Sequence, residues 1–306
     1  MRNIGGDELR DALSMIEAID ALETAFRTQN PGEAAPLRSS VATQGGSLYL
    51  MPATNPLGTG VKLVTLTGAN PDRGLPFIHA AYVLFDPSIQ AVEAVIEGAA
   101  LTALRTAAVS GLATRHLANP GAHRLVMFGA GVQARSHVEA MRAVRPITEL
   151  VVISRTPARA EALCDEVRTA GLMASTGGPE AVADADIVCT CTTSPAPVFD
   201  GTLLAAGAHV NAVGAYLPDV RELDTEAVRR ANVVVETRAV AFQEAGDLLL
   251  AIAEGAITRE HVVADLSELV RGSGVRRNSA DITVFESVGM AFEDLVVARA
   301  AMRALA

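Results

Sequence analysis

Two kinds of residue in this sequence could do chemistry: a glycine-rich turn that could hold a phosphate, and basic side chains in apolar surroundings. The turn Gly129-Ala130-Gly131-Val132-Gln133-Ala134 follows the apolar run Arg124–Phe128 and leads into a helix-like segment. In such a turn the first glycine allows the bend, the second lets the backbone approach a pyrophosphate, and the alanine lets helix and strand pack closely. Free N–H groups at the helix N-terminus would face the phosphates. We predict a dinucleotide site built from these six residues, although such a turn can also be purely structural.

The end of the next predicted strand, Leu150–Ile153, indicates which dinucleotide is bound. In NAD-binding versions of this arrangement an Asp or Glu about 20 residues after the turn accepts the ribose hydroxyls. Here the strand is followed by Ser154-Arg155-Thr156, which contains no carboxylate. Arg155 can pair with a 2′-phosphate, and both hydroxyls can hydrogen-bond to it. We therefore predict NADP(H) in preference to NAD(H), the alternative being that Arg155 is an ordinary surface arginine.

Two basic residues occupy positions that disfavour a cation. Side chains in a strand point alternately to its two faces, so Lys62 shares an apolar face with Val64 and Leu66 in a predicted strand. Burying the lysine charge on such a face costs free energy unless the charge is paired. Arg105 follows Thr102, the predicted N-cap of a long helix, and would lie in the first turn against the helix dipole. A cation in that place can help the backbone amides hold an anion. The alternatives are an edge-strand lysine that reaches water and a solvated arginine.

The elements that position these residues change in type along the chain. Ser14 and Glu17 form a capping box for an amphipathic first helix, and short strands and turns follow from about Leu37 to Glu97, including the polar stretch Gly68–Gly74. From about Leu117 strands and helices alternate, which predicts a doubly wound, mostly parallel sheet. Its candidate strands are Arg124–Phe128, Leu150–Ile153, Ile187–Thr192, His209–Val213 and Asn232–Val235.

The carboxyl ends of the candidate strands Ile187–Thr192 and His209–Val213 are where such sheets bind ligands. Thr192, Val213 and Gly214 occupy these ends, and we expect them to border a nicotinamide ring. After the alternating region the chain reads Asp281–Ser287 and then enters a last helix. Because this helix lies beyond the strand–helix series, we expect it to return to the first domain.

Composition limits the partners. A net charge of −10 argues against nucleic acid and anionic membranes. The charged start of the chain is unlike a signal peptide, and no apolar run is long enough to span a bilayer, so we expect a cytoplasmic protein. Cys164, Cys189 and Cys191 have no ligand-like neighbours in sequence, and no metal site is predicted.

Several stretches together resemble the ornithine cyclodeaminase/μ-crystallin family, over a region from about Leu37 to the C-terminus. The matching stretches are Gly60-Val61-Lys62, Gly74-Leu75-Pro76, Tyr82-Val83-Leu84-Phe85-Asp86, Leu101-Thr102-Ala103-Leu104-Arg105-Thr106-Ala107-Ala108, the glycine turn itself, and Thr283-Val284-Phe285-Glu286-Ser287-Val288-Gly289. The resemblance implies an α/β protein with a Rossmann-type doubly wound parallel sheet, residues 117–285. This domain would be inserted into an α+β substrate-binding and dimerisation domain made of residues 1–116 and 286–306, giving a homodimer.

The resemblance also implies roles for the basic residues. Arg38, Lys62 and Arg105 match positions that hold the substrate carboxylate and the reacting imine or amine. Ornithine cyclodeaminases use bound NAD+ to oxidise and re-reduce one substrate with loss of ammonia, and they carry an aspartate two residues after the glycine that corresponds to Gly214. The matching residue here is Tyr216. The turn is therefore more similar to the ketimine-reductase branch, whose members tend to use NADPH.

We therefore expect hydride transfer to the C2 carbon of a cyclic ketimine carboxylate, such as Δ1-pyrroline-2-carboxylate or Δ1-piperideine-2-carboxylate, giving L-proline or L-pipecolate. Arg38 and Arg105 would clamp the carboxylate, and Lys62 would hold it or deliver a proton. Two alternatives stay open: a cyclodeaminase or alanine-dehydrogenase-like enzyme, and a non-catalytic nucleotide-binding protein of the crystallin kind. The sequence leaves undecided the ring size, the direction of reaction and any role for Asp219.

Overall fold

The computed structural model describes residues 1–70 and 73–306. Residues 71 and 72, in the turn-rich stretch Gly68–Gly74, lie outside the described residues. The described strands are β1 Arg2–Ile4, β2 Ser39–Thr43, β3 Gly46–Asn55, β4 Gly58–Thr67, β5 Ile78–Phe85, β6 Val92–Glu97, β7 Arg124–Phe128, β8 Glu149–Ile153, β9 Met173–Thr176, β10 Ile187–Thr190, β11 His209–Ala212, β12 Asn232–Val235, β13 Val262–Asp265 and β14 Thr283–Glu286.

The described α-helices are α1 Gly6–Ala12, α2 Met15–Thr28, α3 Pro31–Ala34, α4 Gly98–Leu117, α5 Val132–Val144, α6 Pro157–Thr169, α7 Thr225–Arg230, α8 Arg238–Glu244, α9 Gly246–Ala253, α10 Leu266–Val270 and α11 Ala291–Ala304. In the second half of the chain, helices and strands largely alternate. Within the described ranges no helix has both the length and the apolar character needed to cross a bilayer.

The chain forms two compact units, one of residues 1–109 with 290–306 and one of residues 110–289. The sequence placed the breaks at 116/117 and 285/286, and both positions need correction. The first break falls inside α4. The second falls after Gly289, because Glu286 is the last residue of a strand in the second unit and the residues after it are hydrogen-bonded to Glu236 of that unit.

In the first unit, six of the described strands form one sheet in the order β1-β6-β5-β4-β3-β2. β1 pairs with β6 in parallel and the remaining neighbours pair antiparallel. The predicted capping box is present at the start of α2. The last helix, α11, belongs to this unit as expected, and Phe292 packs edge-on against Phe26 of α2 with ring centroids 5.1 Å apart.

In the second unit, the other eight described strands form a fully parallel sheet in the order β13-β12-β14-β11-β10-β7-β8-β9. This is the predicted Rossmann-type doubly wound sheet. The strand order reverses between β7 and β10, which is the point where such sheets bind ligands. The sequence analysis missed β9 and β13, two four-residue strands. It also did not place β14 in the sheet, although β14 lies between β11 and β12.

The start of α4 differs from the prediction. The helix begins at Gly98, and the side chain of Glu97 caps it by accepting hydrogen bonds from the N–H groups of Ala99 and Ala100. Thr102 is therefore not the N-cap, and its hydroxyl donates to the carbonyl of Gly98 within the helix. Arg105 lies beyond the first turn, so the argument from the helix dipole was wrong. Its position has another cause, which is given below.

Gly60 of β4 is required by the packing of Tyr82, because a Cβ at this position would overlap the phenol ring and hydroxyl of Tyr82. We expect Gly60→Ala to lower the free energy of unfolding by about 1–3 kcal/mol, the usual cost of overpacking a core. Urea denaturation measures this change. The matched control is Gly121→Ala, since no described atom lies within 4 Å of a Cβ added there. A Gly60→Ala protein as stable as its control would contradict this placement of Tyr82.

Candidate functional site

Lys62 is buried on the inner face of the first unit's sheet. The alternation along β4 places Gly60, Lys62 and Val64 on this face, and Lys62 is only 2% exposed. Its Nζ donates a hydrogen bond to Oδ1 of Asp294 at 3.0 Å and lies 2.8 Å from Oδ2. Asp294 is fully buried in the first turn of α11. Lys62 is therefore not an edge lysine that reaches water, and its charge is compensated inside the protein.

Arg105 joins the same cluster from α4. Its Nε donates to Oδ1 of Asp294 at 3.2 Å, and its Nη1 donates to Oε2 of Glu293 at 2.8 Å. Both carboxylates lie near the N-terminus of α11, where the helix dipole favours negative charge. Arg105 is buried because these two carboxylates hold it, and not because it faces its own helix terminus.

Arg38 is the third cation near this cluster. It is half-buried in the segment before β2, and it acts electrostatically on Lys62. The pKa of Lys62 is lowered to about 8, mainly because of burial, which Asp294 opposes and the charges of Arg105 and Arg38 reinforce. Lys62, Arg105 and Arg38 together carry three positive charges against two negative charges on Glu293 and Asp294. Among these five side chains the cations outnumber the carboxylates, an arrangement that suits a monoanionic ligand.

Tyr82 adds a neutral donor to the same face. It lies opposite Lys62 in the register of β5 on β4, and it is fully buried. Burial raises its pKa well above the ordinary value, and the charge of Asp294 raises it further, so the phenol stays protonated. Within residues 1–70 and 73–306 its hydroxyl has no hydrogen-bond partner. A buried phenol without a partner can donate to a ligand.

Sequence reasoning missed Tyr82, Glu293 and Asp294, although signals for this cluster existed. Two adjacent carboxylates precede an apolar helix face in α11. A second signal is compositional: Lys62 is the only lysine among 25 lysine and arginine residues. A guanidinium keeps its proton at any ordinary pH, whereas an ammonium in apolar surroundings can release it. Lys62 is thus, among the 25 lysine and arginine side chains, the one that can lose a proton near neutral pH.

The glycine turn has the geometry predicted for a phosphate-binding turn. Gly129 has φ +107°, and a Cβ there would overlap the carbonyl oxygen of Cys191. Gly131 is the N-cap of α5, and in the described chain no side chain caps this helix and no atom lies within 4 Å of a Cβ added at Gly131. Ala134 is fully buried between helix and sheet. Open space in front of uncapped helix N–H groups fits a pyrophosphate.

The other predicted cofactor residues differ in exposure. Arg155 and Thr156 are exposed directly after β8, and among the described residues the Arg155 side chain forms no hydrogen bond or ion pair. Ser154 accepts a hydrogen bond from the N–H of Thr156. Ala130 is buried, Val132 is exposed, and the partly buried residues are Gln133, Thr192, Val213 and Gly214.

Glu222 holds together two of the residues predicted to border the nicotinamide. Its Oε1 accepts hydrogen bonds from the N–H and the hydroxyl of Thr192, at 2.7 and 2.5 Å, and its Oε2 accepts from the N–H of Gly214 at 2.7 Å. Glu222 is fully buried. Sequence reasoning considered Tyr216 and Asp219 in this turn, of which the first is partly buried and the second exposed. It assigned no role to Glu222, the buried carboxylate of the turn.

Two further buried carboxyl groups, those of Asp247 and Glu286, lie near Glu222. Oδ1 of Asp247 accepts from the N–H groups of Glu222 and Leu223, whereas Oδ2 of Asp247 and both oxygens of Glu286 have no donor in the described part of the chain. Burial raises the pKa of Asp247 to about 7, and burial with the charge of Asp247 raises that of Glu286 well above its ordinary value. A raised pKa favours the protonated acid, and a proton on either carboxyl would supply the missing donor.

Comparison with known proteins agrees with this fold and with these motifs. The model of the ornithine cyclodeaminase/mu-crystallin family matches residues 7–304. The chain belongs to this family. The sequence resemblance is thereby confirmed, and so is the mixed α/β fold with a Rossmann-type parallel sheet.

Three relatives illustrate the similarity of this family member to known proteins. The chain is 37% identical to the ketimine reductase mu-crystallin of Mus musculus over 298 residues, which cover 96% of this chain and 92% of the mouse protein. The structure of Δ1-pyrroline-2-carboxylate reductase from Thermococcus litoralis, in complex with NADH and L-proline, matches with a TM-score of 0.94, 35% identity and coverage of 99% and 97%. An archaeal alanine dehydrogenase dimer with bound NAD matches with a TM-score of 0.92, 31% identity and coverage of 99% and 95%.

The single lysine allows a direct test of the Lys62 environment. Protein labelled with 13C-lysine gives one side-chain signal, and we expect its titration midpoint in wild type near pH 8 rather than the ordinary 10.5. Asp294→Asn removes the charge that raises the pKa of Lys62, so the midpoint moves lower still, by about one pH unit or more. Below this midpoint the side chain is an ammonium, and above it an amine.

The control for this titration is Glu8→Gln, which removes a surface ion pair with Arg2 in the same unit. It should leave the Lys62 midpoint unchanged, because exposed charges are screened. A wild-type midpoint near 10.5, or an Asp294→Asn midpoint equal to that of wild type, would contradict the buried Lys62–Asp294 pair.

Proposed function

We propose that this family member reduces a cyclic ketimine carboxylate, Δ1-pyrroline-2-carboxylate or Δ1-piperideine-2-carboxylate, to L-proline or L-pipecolate with a reduced nicotinamide dinucleotide. It is an oxidoreductase that acts on C=N and CH–NH bonds. The observation that carries the proposal is the buried cluster of Lys62, Arg105 and Asp294, with Arg38 beside it. The names of the mouse and Thermococcus relatives, and the proline bound by the latter, support this substrate class.

The charge of the cluster supports an anionic substrate. Lys62, Arg105 and Arg38 gather three cations near two carboxylates, and a substrate carboxylate would be attracted to them in these low-dielectric surroundings. Arg105 has two of its guanidinium nitrogens engaged by Glu293 and Asp294, which fixes the orientation of the group. Arg38 is less buried, and we propose that it binds the substrate carboxylate together with Arg105. A carboxylate held at two points fixes the face of the ring that is presented for reduction.

Lys62 supplies the proton that the reaction consumes. The imine nitrogen must gain one proton and the C2 carbon one hydride for the C=N bond to become CH–NH. With a pKa of about 8, Lys62 is an ammonium at neutral pH and releases its proton more readily than an ordinary lysine. Asp294 holds the Nζ in place, and the proton passes from Nζ to the imine nitrogen.

The residues of the glycine turn fit a nicotinamide dinucleotide. Gly129, Gly131 and Ala134 leave room for the pyrophosphate at the start of α5, and Thr192, Val213 and Gly214 lie at strand ends suited to the nicotinamide. The reduced dinucleotide supplies the hydride when bound. Of its two forms we propose NADPH, since Arg155 is exposed and uncompensated where NAD-binding domains carry a carboxylate. The Thermococcus and alanine dehydrogenase relatives are described with NADH and NAD.

The exposed face of the first unit's sheet supports a homodimer. Leu50, Leu63 and Ala81 lie side by side across β3, β4 and β5, on the face opposite Lys62, and all three are only partly buried. Apolar side chains in register on an open sheet face favour burial against another surface. We propose that a second copy of this chain covers this face, in line with the dimer described for the archaeal alanine dehydrogenase.

The test of the proposed function compares two reactions. We expect NADPH oxidation with Δ1-pyrroline-2-carboxylate or Δ1-piperideine-2-carboxylate, and no release of ammonia from L-ornithine with NAD+. Lys62→Arg keeps the charge but not the removable proton, so it should retain imine binding while kcat falls at least about 100-fold. The control Arg10→Lys changes an exposed ion pair in the same unit and should leave kcat unchanged. Proline and ammonia from ornithine, without imine reduction, would replace this function by cyclodeamination.

The choice of cofactor is tested at Arg155. Arg155→Ser removes the guanidinium assigned to the 2′-phosphate, so the Kd for NADPH should rise about tenfold or more while that for NADH stays within about twofold. Fluorescence titration with each cofactor measures both constants. Arg277→Ser, another exposed arginine of the same unit, is the matched control. Equal weakening of both cofactors at Arg155→Ser, or no weakening, would remove Arg155 from phosphate recognition.

A further inference from the structure

The hydroxyl of Thr192 has a fixed direction. It donates its only proton to Oε1 of Glu222 at 2.5 Å, and it accepts a hydrogen bond from the N–H of Ser194 at 3.0 Å. A threonine hydroxyl has one proton and two lone pairs. With the proton and one lone pair engaged, only a lone pair is left for a ligand. In this arrangement Thr192 can accept a hydrogen bond from a ligand but cannot donate one.

Thr192 is also connected to the glycine turn. The N–H of Cys191 donates to the carbonyl of Phe128 at 2.8 Å, and the carbonyl of Cys191 lies where a side chain at Gly129 would be. Cys191, whose carbonyl leaves no room for a side chain at Gly129, is thus the immediate neighbour of Thr192 in sequence. The other neighbour of Glu222, Gly214, lies at the end of β11, and a Cβ there would lie 2.6 Å from the Glu222 carboxyl group. Glu222 thus joins Thr192 and Gly214 at the carboxyl edge of the sheet, the edge where such sheets bind ligands.

Glu222 is itself held rigidly. Its N–H and that of Leu223 donate to Oδ1 of Asp247, at 2.8 and 2.6 Å. Its carbonyl accepts from the N–H of Val198 at 2.8 Å. A carboxylate that accepts three hydrogen bonds and whose backbone is fixed on both sides cannot turn away from Thr192 without losing them.

We propose that Glu222 is a positioning residue that orients the Thr192 hydroxyl as an acceptor for the carboxamide NH2 of a bound nicotinamide. The inference rests on the proposed function, because it assumes that this edge of the sheet holds the nicotinamide. Among the polar groups of a nicotinamide the NH2 is the only donor, and an acceptor of fixed direction suits it. Thr192 then contacts the cofactor, and Glu222 acts through Thr192.

The test uses cofactor analogues that lack the NH2. Isothermal titration calorimetry gives the Kd of NADH and NADPH, and of the 3-acetylpyridine analogue of each, in which a methyl group replaces the NH2. We expect Thr192→Val to weaken binding of the amide cofactors about three- to tenfold and to leave binding of the analogues within about twofold. Thr192→Ser keeps the hydroxyl and should restore the preference for the amide.

Glu222→Leu tests the positioning role. It removes both carboxylate oxygens, so the hydroxyl of Thr192 loses its fixed acceptor and the preference for the amide should fall as in Thr192→Val. The matched control is Thr202→Val, which removes an exposed hydroxyl that donates to Asp200 at 2.7 Å in the same unit. This control should bind all four nucleotides as wild type does.

Three outcomes would overturn the inference: equal loss of amide cofactor and analogue in Thr192→Val, no loss of either, or an unchanged amide preference in Glu222→Leu. The proposed function fails separately. If the wild-type protein prefers the amide and Thr192→Val abolishes this preference, but no ketimine is reduced, the inference stands and the reaction does not. If no nicotinamide nucleotide binds at all, both are overturned.

Discussion

A charge that is removed from water must be matched by an opposite charge, and the first unit is organised by this requirement. Lys62 and Arg105 come from a central strand and from α4, and both reach the carboxylates at the start of α11. The last helix therefore has to lie against the sheet in one orientation, since a rotation would leave both cations buried without a partner. Arg38 lies close enough to act electrostatically on Lys62, so three cations are gathered near these two carboxylates.

The second unit meets the same requirement with different means. Its buried carboxyls face few cations, and two devices stabilise them instead. Glu222 and Glu236 accept hydrogen bonds mainly from backbone N–H groups, and Glu236 holds Ser287 and Gly289 in this way. Burial raises the pKa of both Asp247 and Glu286, which favours the neutral acid at this pair. Backbone donors cannot move without the chain, so these carboxylates fix the loops at the ligand-binding edge of the sheet.

The parts of the structure that depend on local pattern could be predicted from the sequence, and the parts that depend on distant pairing could not. The glycine turn, its strand and the alternation around Lys62 are visible within a dozen residues. Asp294, by contrast, is 232 positions from Lys62, and nothing near Lys62 indicates its partner. Arg105 was singled out for a wrong reason, because Glu97 caps its helix where Thr102 was expected to. Glu222 was overlooked because its hydrogen bonds are to strand ends that only the sheet brings together.

The position of β14 has a consequence for the order in which the protein can fold. Among the described strands β14 comes last in sequence, yet it lies between β11 and β12 and pairs with both. Until the ribosome has released residues 283–286, β12 and β13 have no edge to join, and the sheet can assemble only from β9 to β11. In the first unit, Lys62 and Arg105 likewise cannot be paired before α11 has been synthesised. Synthesis therefore supplies β14 and α11 after all the other described strands of both units, and the growing chain exposes unpaired strand edges until these two elements emerge.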